Sequence, residues 1–518
     1  MEAKSKIQLN AFDRVVGWLF PGAGVRRLAA RQVLNQYEAA KPSRNRKGAK
    51  DNRPPNAQVQ QGAVALRGLA RHLEQNHDIA RGALRVLINN VVGPNGIGIE
   101  PQPRRKDGSI HEEYAAALRN AYRDWAQKPE VTHKHTWSKA QRLVCKTWIR
   151  DGECFAQRLI GIVPLLDHGT RVPYSLELIE PDMIPLDYHD VGRGIQQGVE
   201  RNTWGKATAY WAYKQFPGEA WGKGSYELKR IEASRIHHIA SIDRIGQMRG
   251  VSEFASVITR LEDIKDYEES ERVAAKVAAS LTAYVKKGNH EDYASATADM
   301  PAGQSRELHF APGMIIDSLS PGEEIGMIDS NRPNPNLVTF RQGQLRAVAA
   351  GLGGSYSSIA RDYSGTYSSQ RQELVEQWIH YAVLCDEFVG QFVQPTWNDF
   401  VLAANLSGVV PMPRDVDPES ADDALFVGQS MPWIDPLKEA LAWHSLVEDG
   451  FASEVEVMRK RGANPRDVLE QIKAHRDECK AKDLVFGSDY ANKDKVAPPA
   501  YAAPPSDIGD KADPEKDD

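Results

Sequence analysis

The first strong pattern along the chain is a helical one, over residues 63–92. Its apolar residues recur mostly at spacings of three and four, which predicts an α-helix with one buried face. The pattern stops at Gly93-Pro94-Asn95-Gly96, a sequence that favours a turn. The apolar residues of the stretch are Leu66, Leu69, Ala70, Leu73, Ile79, Leu84, Leu87, Ile88 and Val91.

After Asp151-Gly152 the apolar period changes to two, which is typical of β-strands. Two amphipathic helices, at about 111–128 and 137–150, are predicted before this point. We expect a mixed sheet between about 153 and 245. Its predicted strands are CFAQRLI, YSLELIEP, TAYWAYK and RIHHIAS.

A long helix is predicted after Ser252, because serine often caps helix N-termini. Helical spacing runs from Phe254 to Leu281 and stops at Lys286-Lys287-Gly288. An unbroken helix of this length would span roughly 45–50 Å. Residues 288–335 are rich in Gly, Pro, Asp and Ser, with two short strand-like pieces, LHF and GMIID. They are interpreted as a small module before the next helix, at about 336–350.

The stretch GLGGSYSSIARDYSGTYSSQR then predicts a loop of about twenty residues, and loops of that length are usually functional or disordered. The next helix, at about 368–394, is predicted to end at Pro395. A last helical pair is predicted at about 436–475, around Arg461-Gly462-Ala463-Asn464-Pro465. The helix at 368–394 has an apolar seam that belongs either to the core of one subunit or to a contact between subunits. The seam consists of Leu374, Trp378, Tyr381, Cys385, Phe388 and Phe392.

Charge limits the function classes. Lys plus Arg number 65 against 70 Asp plus Glu, a formal net charge of −5, whereas a protein that grips DNA is normally basic over its binding surface. The balance favours a surface along which DNA slides. The basic stretch 24–62 predicts a solvated arm, or a contact with DNA or an acidic neighbouring subunit. The Pro-rich acidic end predicts disorder, and no run reaches the roughly 20 apolar residues of a membrane span.

The motifs contain no recognisable catalytic or metal-binding constellation. His133-Lys134-His135 and His237-His238 lack carboxylate or cysteine ligands at zinc spacing. One alternative is a nucleic-acid enzyme, such as a magnesium-dependent nuclease using Asp151, Glu153 and Glu180. Placement of these residues and Asp182 in turns and loops explains them equally well. The four cysteines, which lack zinc or disulfide spacing and are expected to be reduced thiols, are Cys145, Cys154, Cys385 and Cys479.

Five segments form an ordered set that spans roughly residues 63–475. They are ARGALRVLINNVVGPNGIG (80–98), WSKAQRLVCKTWIRDGECFAQRL (137–159), LELIEPD (176–182) with RIHHIASIDRIGQMRGVSEF (235–254), DYSGTYSSQR (362–371) and RGANPRDV (461–468). Together they resemble the lambda-like family of tailed-bacteriophage portal proteins. The fourth is the most specific, being similar to the family element DYS-x-x-YSS-x-R. At the second open position of that element, just before Tyr-Ser-Ser, asparagine is expected and this chain has Thr366. The motif residues are Tyr367, Ser368, Ser369 and Arg371.

The resemblance implies an α+β, portal-type subunit that assembles into a dodecameric ring. Such a subunit has a wing of mixed helices and strands, long stem helices, a small α/β clip and a helical crown. The implied parts are a basic flexible arm (1–62), the wing (63–250), a stem helix (251–287), the clip (288–335), a return stem helix (336–352), a tunnel loop (353–367), a wing helix and connection (368–435), the crown (436–480) and a disordered acidic tail (481–518).

The resemblance also implies a function: a head–tail connector at one capsid vertex, through which double-stranded DNA is packaged and ejected. The implied partners are other copies of the chain, the terminase large subunit, head–tail connector or adaptor proteins, and the major capsid and scaffold proteins. No catalysis, cofactor, metal or membrane is implied, and the location is the virion, or the host cytoplasm during assembly. A competing interpretation is a non-portal virion or tail adaptor of similar α+β composition. The residues expected to line the channel are Ser355, Tyr356, Arg361, Asp362, Tyr363 and Tyr367.

Overall fold

The computed structural model describes residues 52–218, 226–279, 283–287, 323–327, 336–431, 436–482 and 484. The chain divides into two compact units, residues 1–58 and 59–518, and the elements below belong to the second, apart from the first turn of α1. The helices are α1 (Pro55–Asn76), α2 (Asp78–Val91), α3 (Glu112–Trp125), α4 (Trp137–Asp151), α5 (Ile258–Ala279), α6 (Leu337–Gly351), α7 (Tyr356–Ala360), α8 (Tyr367–Phe388), α9 (Gln394–Leu406), α10 (Pro436–Glu448), α11 (Glu454–Lys460) and α12 (Pro465–Ala481). The strands are β1 (Gly98–Pro101), β2 (Glu153–Ile160), β3 (Tyr174–Ile179), β4 (Ile195–Gln196), β5 (Val199–Arg201), β6 (Ala207–Tyr213), β7 (Leu228–Glu232), β8 (Ile236–Ala240), β9 (Ala283–Lys287), β10 (Glu323–Met327) and β11 (Ala424–Val427).

The first helical stretch differs from the prediction at its start and in its middle. Helix α1 begins at Pro55, whose fixed φ suits the first turn of a helix. Residues 55–62, predicted to belong to the flexible arm, are therefore helical, and the arm before residue 52 lies outside the described residues. His77 separates α1 from α2 with an extended φ of −124°. Its Nε2 lies 2.9 Å from the carbonyl oxygen of Leu261, a tertiary contact that no local motif signals.

The predicted strands between 153 and 245 all form, but not as one mixed sheet. They belong to a three-stranded sheet, β3-β2-β8, and to a four-stranded sheet, β4-β5-β6-β7. Every strand pairing in both sheets is antiparallel. Gly152, with φ of 89°, turns the chain from α4 directly into β2, a conformation that glycine adopts at low cost.

The long helix predicted to reach Lys287 is shorter. Ser252 caps a 3₁₀ turn, Glu253–Ser256, by accepting a hydrogen bond at 3.1 Å from the N–H of Phe254. Helix α5 then ends at Ala279, and β9 pairs antiparallel with β10. Tyr284 and Val285 favour strands, and the alternation of AYVKK was too short to stand out beside the preceding helical pattern. The pieces LHF and GMIID lie outside the described residues.

The seam of α8 is part of the subunit core. Tyr381, Phe388 and Phe392 are between 0 and 2% exposed and pack in the main apolar cluster. The predicted end at Pro395 is wrong. A π-helical turn, Val389–Val393, connects α8 to α9, and the N–H of Gln394 donates to the carbonyl of Val389, five residues back. Pro395 thus falls in the first turn of α9, where a missing N–H is tolerated.

The C-terminal region contains three helices, α10 to α12, where a pair was predicted. Pro465 is the only residue of these three helices that is buried. Ion pairs connect the region to the preceding elements: Arg459 lies 3.2 Å from Glu100, and Arg119 lies 2.8 Å from Asp467. This region is therefore attached mainly by polar contacts at its surface.

Candidate functional site

Four carboxylates from two places in the sequence meet in the structure. Asp151 ends α4 and Glu153 begins β2, while Glu180 and Asp182 follow β3. Because β2 and β3 are antiparallel, the start of β2 lies beside the end of β3. Arginines from α1, from α4 and from the loop that follows β8 surround these carboxylates. We call this group the charge cluster: Arg67, Arg71, Arg150, Asp151, Glu153, Glu180, Asp182 and Arg249.

Glu153 and Arg249 form the centre of the cluster, and both are 0% exposed. Arg249 Nη2 donates to Glu153 Oε1 at 2.7 Å, and its Nε donates to Oε2 at 2.9 Å. Arg67 adds a third bond at 3.0 Å, and His238 Nε2 lies 3.2 Å from Oε2. Burial alone would raise the pKa of Glu153. The Arg249 charge and the hydrogen bonds from His238 and Arg249 outweigh burial and hold that pKa well below its usual range.

Arg71 connects the outer carboxylates of the cluster. Its Nη2 lies 2.7 Å from Asp151 Oδ2, 2.5 Å from Asp182 Oδ2 and 3.5 Å from Glu180 Oε2. Burial would raise the pKa of Asp182, but the charges of Arg67 and Arg71 lower it overall. Each carboxylate of the cluster therefore has at least one guanidinium partner.

Two glycines bring the backbones of separate motif segments into contact. A Cβ atom on Gly250 would lie 1.9 Å from the carbonyl oxygen of Gly152, and one on Gly152 would lie 2.3 Å from the carbonyl carbon of Val251. The N–H of Gly250 also donates to Glu153 Oε2 at 3.0 Å. Neither position has room for a side chain. The Asp-Gly-Glu of the second segment and the Arg-Gly of the third thus form one structural unit.

The geometry of the cluster bears on the nuclease alternative. A magnesium site needs carboxylate oxygens that are free to coordinate the ion, whereas arginines already contact these oxygens. Within the described ranges, no group of three or more His, Cys, Asp or Glu side chains is arranged to hold a metal ion. His237 and His238 point to opposite faces of β8: His237 lies 2.9 Å from Asp399, and His238 contacts Glu153. Each histidine therefore contacts a single carboxylate.

The stretch predicted to be a loop is more ordered than expected. Ser355 caps the short helix α7 by accepting a bond from the N–H of Ser358 at 3.2 Å, and Arg361 ends that helix with φ of 56°. Asp362 accepts from the Tyr356 hydroxyl and from the Ser364 hydroxyl, each at 2.7 Å. We call residues 353–371 the motif segment. These hydrogen bonds stabilise the short helix α7 and the turn at Asp362, which together connect α6 to α8.

The tyrosines at the end of the motif segment project into solvent. Tyr363 is 58% exposed and Tyr367 is 56% exposed, and Ser368, Ser369 and Arg371 are exposed as well. Arg371 Nη1 donates to the Tyr367 hydroxyl at 3.4 Å, one turn back on α8. Ser355, in contrast, is 6% exposed. Among the expected channel residues, Tyr363 and Tyr367 therefore lie at the surface of the subunit, whereas Ser355 is buried.

Thr366 has a clear role at the position where asparagine was expected. Its hydroxyl accepts from the N–H of Ser369 at 3.4 Å and so caps α8. Asparagine and threonine both serve as N-caps. The departure from the family element therefore preserves the start of the helix.

The residues that sequence reasoning missed are mainly the partners of the carboxylates. Arg67, Arg249 and Asp399 had no assigned role, although Arg249 lies in one of the quoted segments. Asp399 lies 2.6 Å from Arg158 and 2.9 Å from His237. None of the helices in the described part of the chain is both long and apolar enough to cross a bilayer.

Comparison with known proteins defines the class as that of phage portal proteins. A family model described as phage portal protein, lambda family, matches residues 41–384, more than half of the chain. The chain therefore belongs to the lambda family of phage portal proteins.

Among its relatives, the probable portal protein of Halomonas phage phiHAP-1 is 24% identical over 426 residues, 79% of each chain. Portal protein B of Escherichia phage lambda is 24% identical over 494 residues, 87% of this chain and 89% of that one. Among solved structures, a chain from the neck of an empty GTA particle is 10% identical with a TM-score of 0.41. That match covers 80% of this chain and 95% of the other.

Proposed function

We propose that the chain assembles into a ring of twelve copies at one vertex of a phage capsid. Double-stranded DNA passes through its channel during packaging and ejection. Membership of the lambda portal family is the observation that carries this proposal. The near balance of 65 basic and 70 acidic residues supports a channel that does not hold DNA tightly, since affinity for DNA depends largely on neutralised phosphates.

The proposed role is structural, without covalent catalysis. The pairing of Asp151, Glu153 and Asp182 with arginines supports this, because such carboxylates serve to hold backbone segments together. The proposed partners are the terminase large subunit, head–tail connector proteins, and the major capsid and scaffold proteins. The proposed location is the portal vertex of the virion, reached from the host cytoplasm.

The division into arm, wing, stem, clip, crown and tail remains a proposal. In it, α5 and α6 are stem helices on either side of the clip, and α10 to α12 form the crown. Residues 353–367 of the motif segment are the tunnel loop. The exposure of Tyr363 and Tyr367 supports its availability for contact with DNA, because tyrosine presents a polar tip on an apolar ring.

Negative-stain electron microscopy of the purified chain, with mass from light scattering, tests the ring. We expect rings of about a dozen subunits with a hole wide enough for a duplex, roughly 20 Å or more. A chain that stays monomeric at all concentrations, and that cleaves DNA only with added magnesium, would contradict the proposal and favour the nuclease.

The tunnel assignment has its own test, in which Tyr363 and Tyr367 are both replaced by alanine. Both side chains are more than half exposed, so the fold and the ring should be retained while DNA packaging in a complementation assay decreases. Tyr226→Ala, at a tyrosine that is 72% exposed on another part of the chain, is the control. Equal packaging by all three proteins would refute the assignment.

A further inference from the structure

Helix α8 has a second apolar face, directed away from the core. Val375, Ile379 and Val383 are 41, 65 and 51% exposed. They follow one another at intervals of four residues, which places them along one side of a helix. The seam with Tyr381 and Phe388 packs in the core, whereas this second face remains largely exposed in the described part of the subunit. We call it the α8 ridge.

Acidic side chains flank the ridge. Glu376, Asp386 and Glu387 are all exposed. Glu376 and Glu387 are about three helical turns apart and so lie on nearly the same line as Val383. No lysine, arginine or histidine forms an ion pair with any of these three acids within the described ranges. The ridge therefore combines exposed apolar surface with three acidic side chains, and the exposed Arg371 continues its line one turn before Val375.

A surface of opposite charge lies on α2. Arg81 and Arg85 are exposed, one helical turn apart, and neither forms an ion pair in the part of the chain that the structure describes. Inside the subunit α2 packs on α7 and α8 through its buried residues, such as Ala80, Leu84 and Leu87. The two arginines therefore occupy the remaining, solvent-facing side of α2.

We propose that the α8 ridge of one subunit packs against the Arg81–Arg85 side of α2 in the next subunit. Charge complementarity selects a second copy of the chain as the partner. Arginine suits such a contact, because its aliphatic stem covers Val and Ile side chains while its guanidinium reaches the flanking carboxylates. Two different surfaces in contact are what a closed ring requires. This inference rests on the ring assembly proposed above.

Reciprocal charge reversal tests the contact. R81E/R85E and E376R/E387R should each raise the concentration needed for half-assembly by at least about tenfold, because like charges then face each other. The variant that carries all four changes should recover assembly, since both surfaces are reversed together. Mass photometry measures the ring fraction, and circular dichroism verifies that each variant is folded.

A second variant tests the apolar part of the contact. I379D should also reduce ring formation, whereas I162D, at a loop residue that is 103% exposed, should not. Wild-type assembly by R81E/R85E, by E376R/E387R or by I379D would overturn the inference while leaving the ring in place, as would failure of the fourfold variant to recover. A wild-type chain that forms no ring under any condition would instead remove the ring proposal, and the inference with it.

Discussion

Replacement of Glu153 by glutamine removes the negative charge at the centre of the charge cluster. The burial of Glu153 and its partners indicates how much this replacement should lower the free energy of unfolding. Glu153 is 0% exposed, as is Arg249, and Arg67 is 3% exposed. The glutamine amide retains the shape of the side chain and one acceptor oxygen, but Arg249 loses its buried counter-charge and Arg67 keeps only the partly exposed Asp182. Removing one partner of a buried ion pair costs about 3–5 kcal/mol, and we expect E153Q to fall in that range.

The assay is urea denaturation followed by circular dichroism. It is carried out at a concentration where light scattering shows monomers, because ring assembly would add a concentration-dependent term to the stability. The control is E227Q. Glu227 pairs with Lys214 at 2.7 Å, but both side chains are more than half exposed, so water screens the pair and E227Q should change the stability little.

A double-mutant cycle with Arg249→Met separates the pair from its surroundings. Arg249 also donates to the carbonyl oxygens of Gln197 and Ile184, so R249M leaves those acceptors unsatisfied. The double variant should nevertheless lose less stability than the sum of the two single variants, because each single change already breaks the same pair. E153Q within about 0.5 kcal/mol of the wild type, a value typical of surface substitutions, would refute the reasoning.

Three further predictions follow from the same structure. Gly250→Ala should sharply reduce the soluble yield and thermal stability, because its Cβ would lie 1.9 Å from the Gly152 carbonyl oxygen. The control is G82A, in a helix where a Cβ has nothing within 4 Å, and it should be neutral or stabilising by up to about 1 kcal/mol. Equal melting temperatures of G250A and G82A would contradict this. Lowering the pH should destabilise the fold, because the pKa values of Glu153 and Asp182 are lower in the folded protein than in the unfolded chain. The stability that these carboxylates contribute is fully present above their unfolded-state pKa values, about 4, and is lost as the pH falls through their folded-state pKa values. Unfolding measured between pH 7 and 3 tests this, and a flat profile would count against it. Cys145 and Cys154 are buried, and burial raises the pKa of both thiols. Cys385 and Cys479 are half-buried, and burial raises the pKa of Cys385 to about 11. Ellman's reagent at pH 7 should therefore label Cys479 before Cys385, and Cys145 and Cys154 only on unfolding; fast labelling of Cys145 or Cys154 would be inconsistent with their burial.

The sequence predicted those elements whose pattern is local. The β-favouring apolar residues of CFAQRLI and RIHHIAS were sufficient for β2 and β8. Both faces of β2 are covered, because Cys154 and Ala156 pack in the main apolar cluster and Phe155 packs in a second one. The seam through Tyr381 and Phe388 likewise marked the buried face of α8. The four family-motif residues lie in the first turns of α8, directly after its N-cap Thr366. A turn followed by a helical pattern predicts this position.

Other features depended on residues distant in the sequence. The break at His77 depends on the carbonyl of Leu261, 184 residues away. The partner of Glu153 is 96 residues away in the sequence, at Arg249. The sequence around a pair of carboxylates does not reveal whether an arginine or a metal ion neutralises them. At Pro395 the local rule predicted a helix end, and the π-helical turn that accommodates the proline has no signature in the sequence.

That π-helical turn connects two distant parts of the subunit. It keeps the chain helical from Tyr367 to Leu406, a path of roughly 60 Å at the rise of an α-helix. One end of this path carries the exposed tyrosine of the motif segment, and near the other end Asp399 is bonded to Arg158 and His237 of the three-stranded sheet. The motif segment and the sheet are therefore joined by an unbroken helical backbone, whereas a helix that ended at Pro395 would place a loop between them.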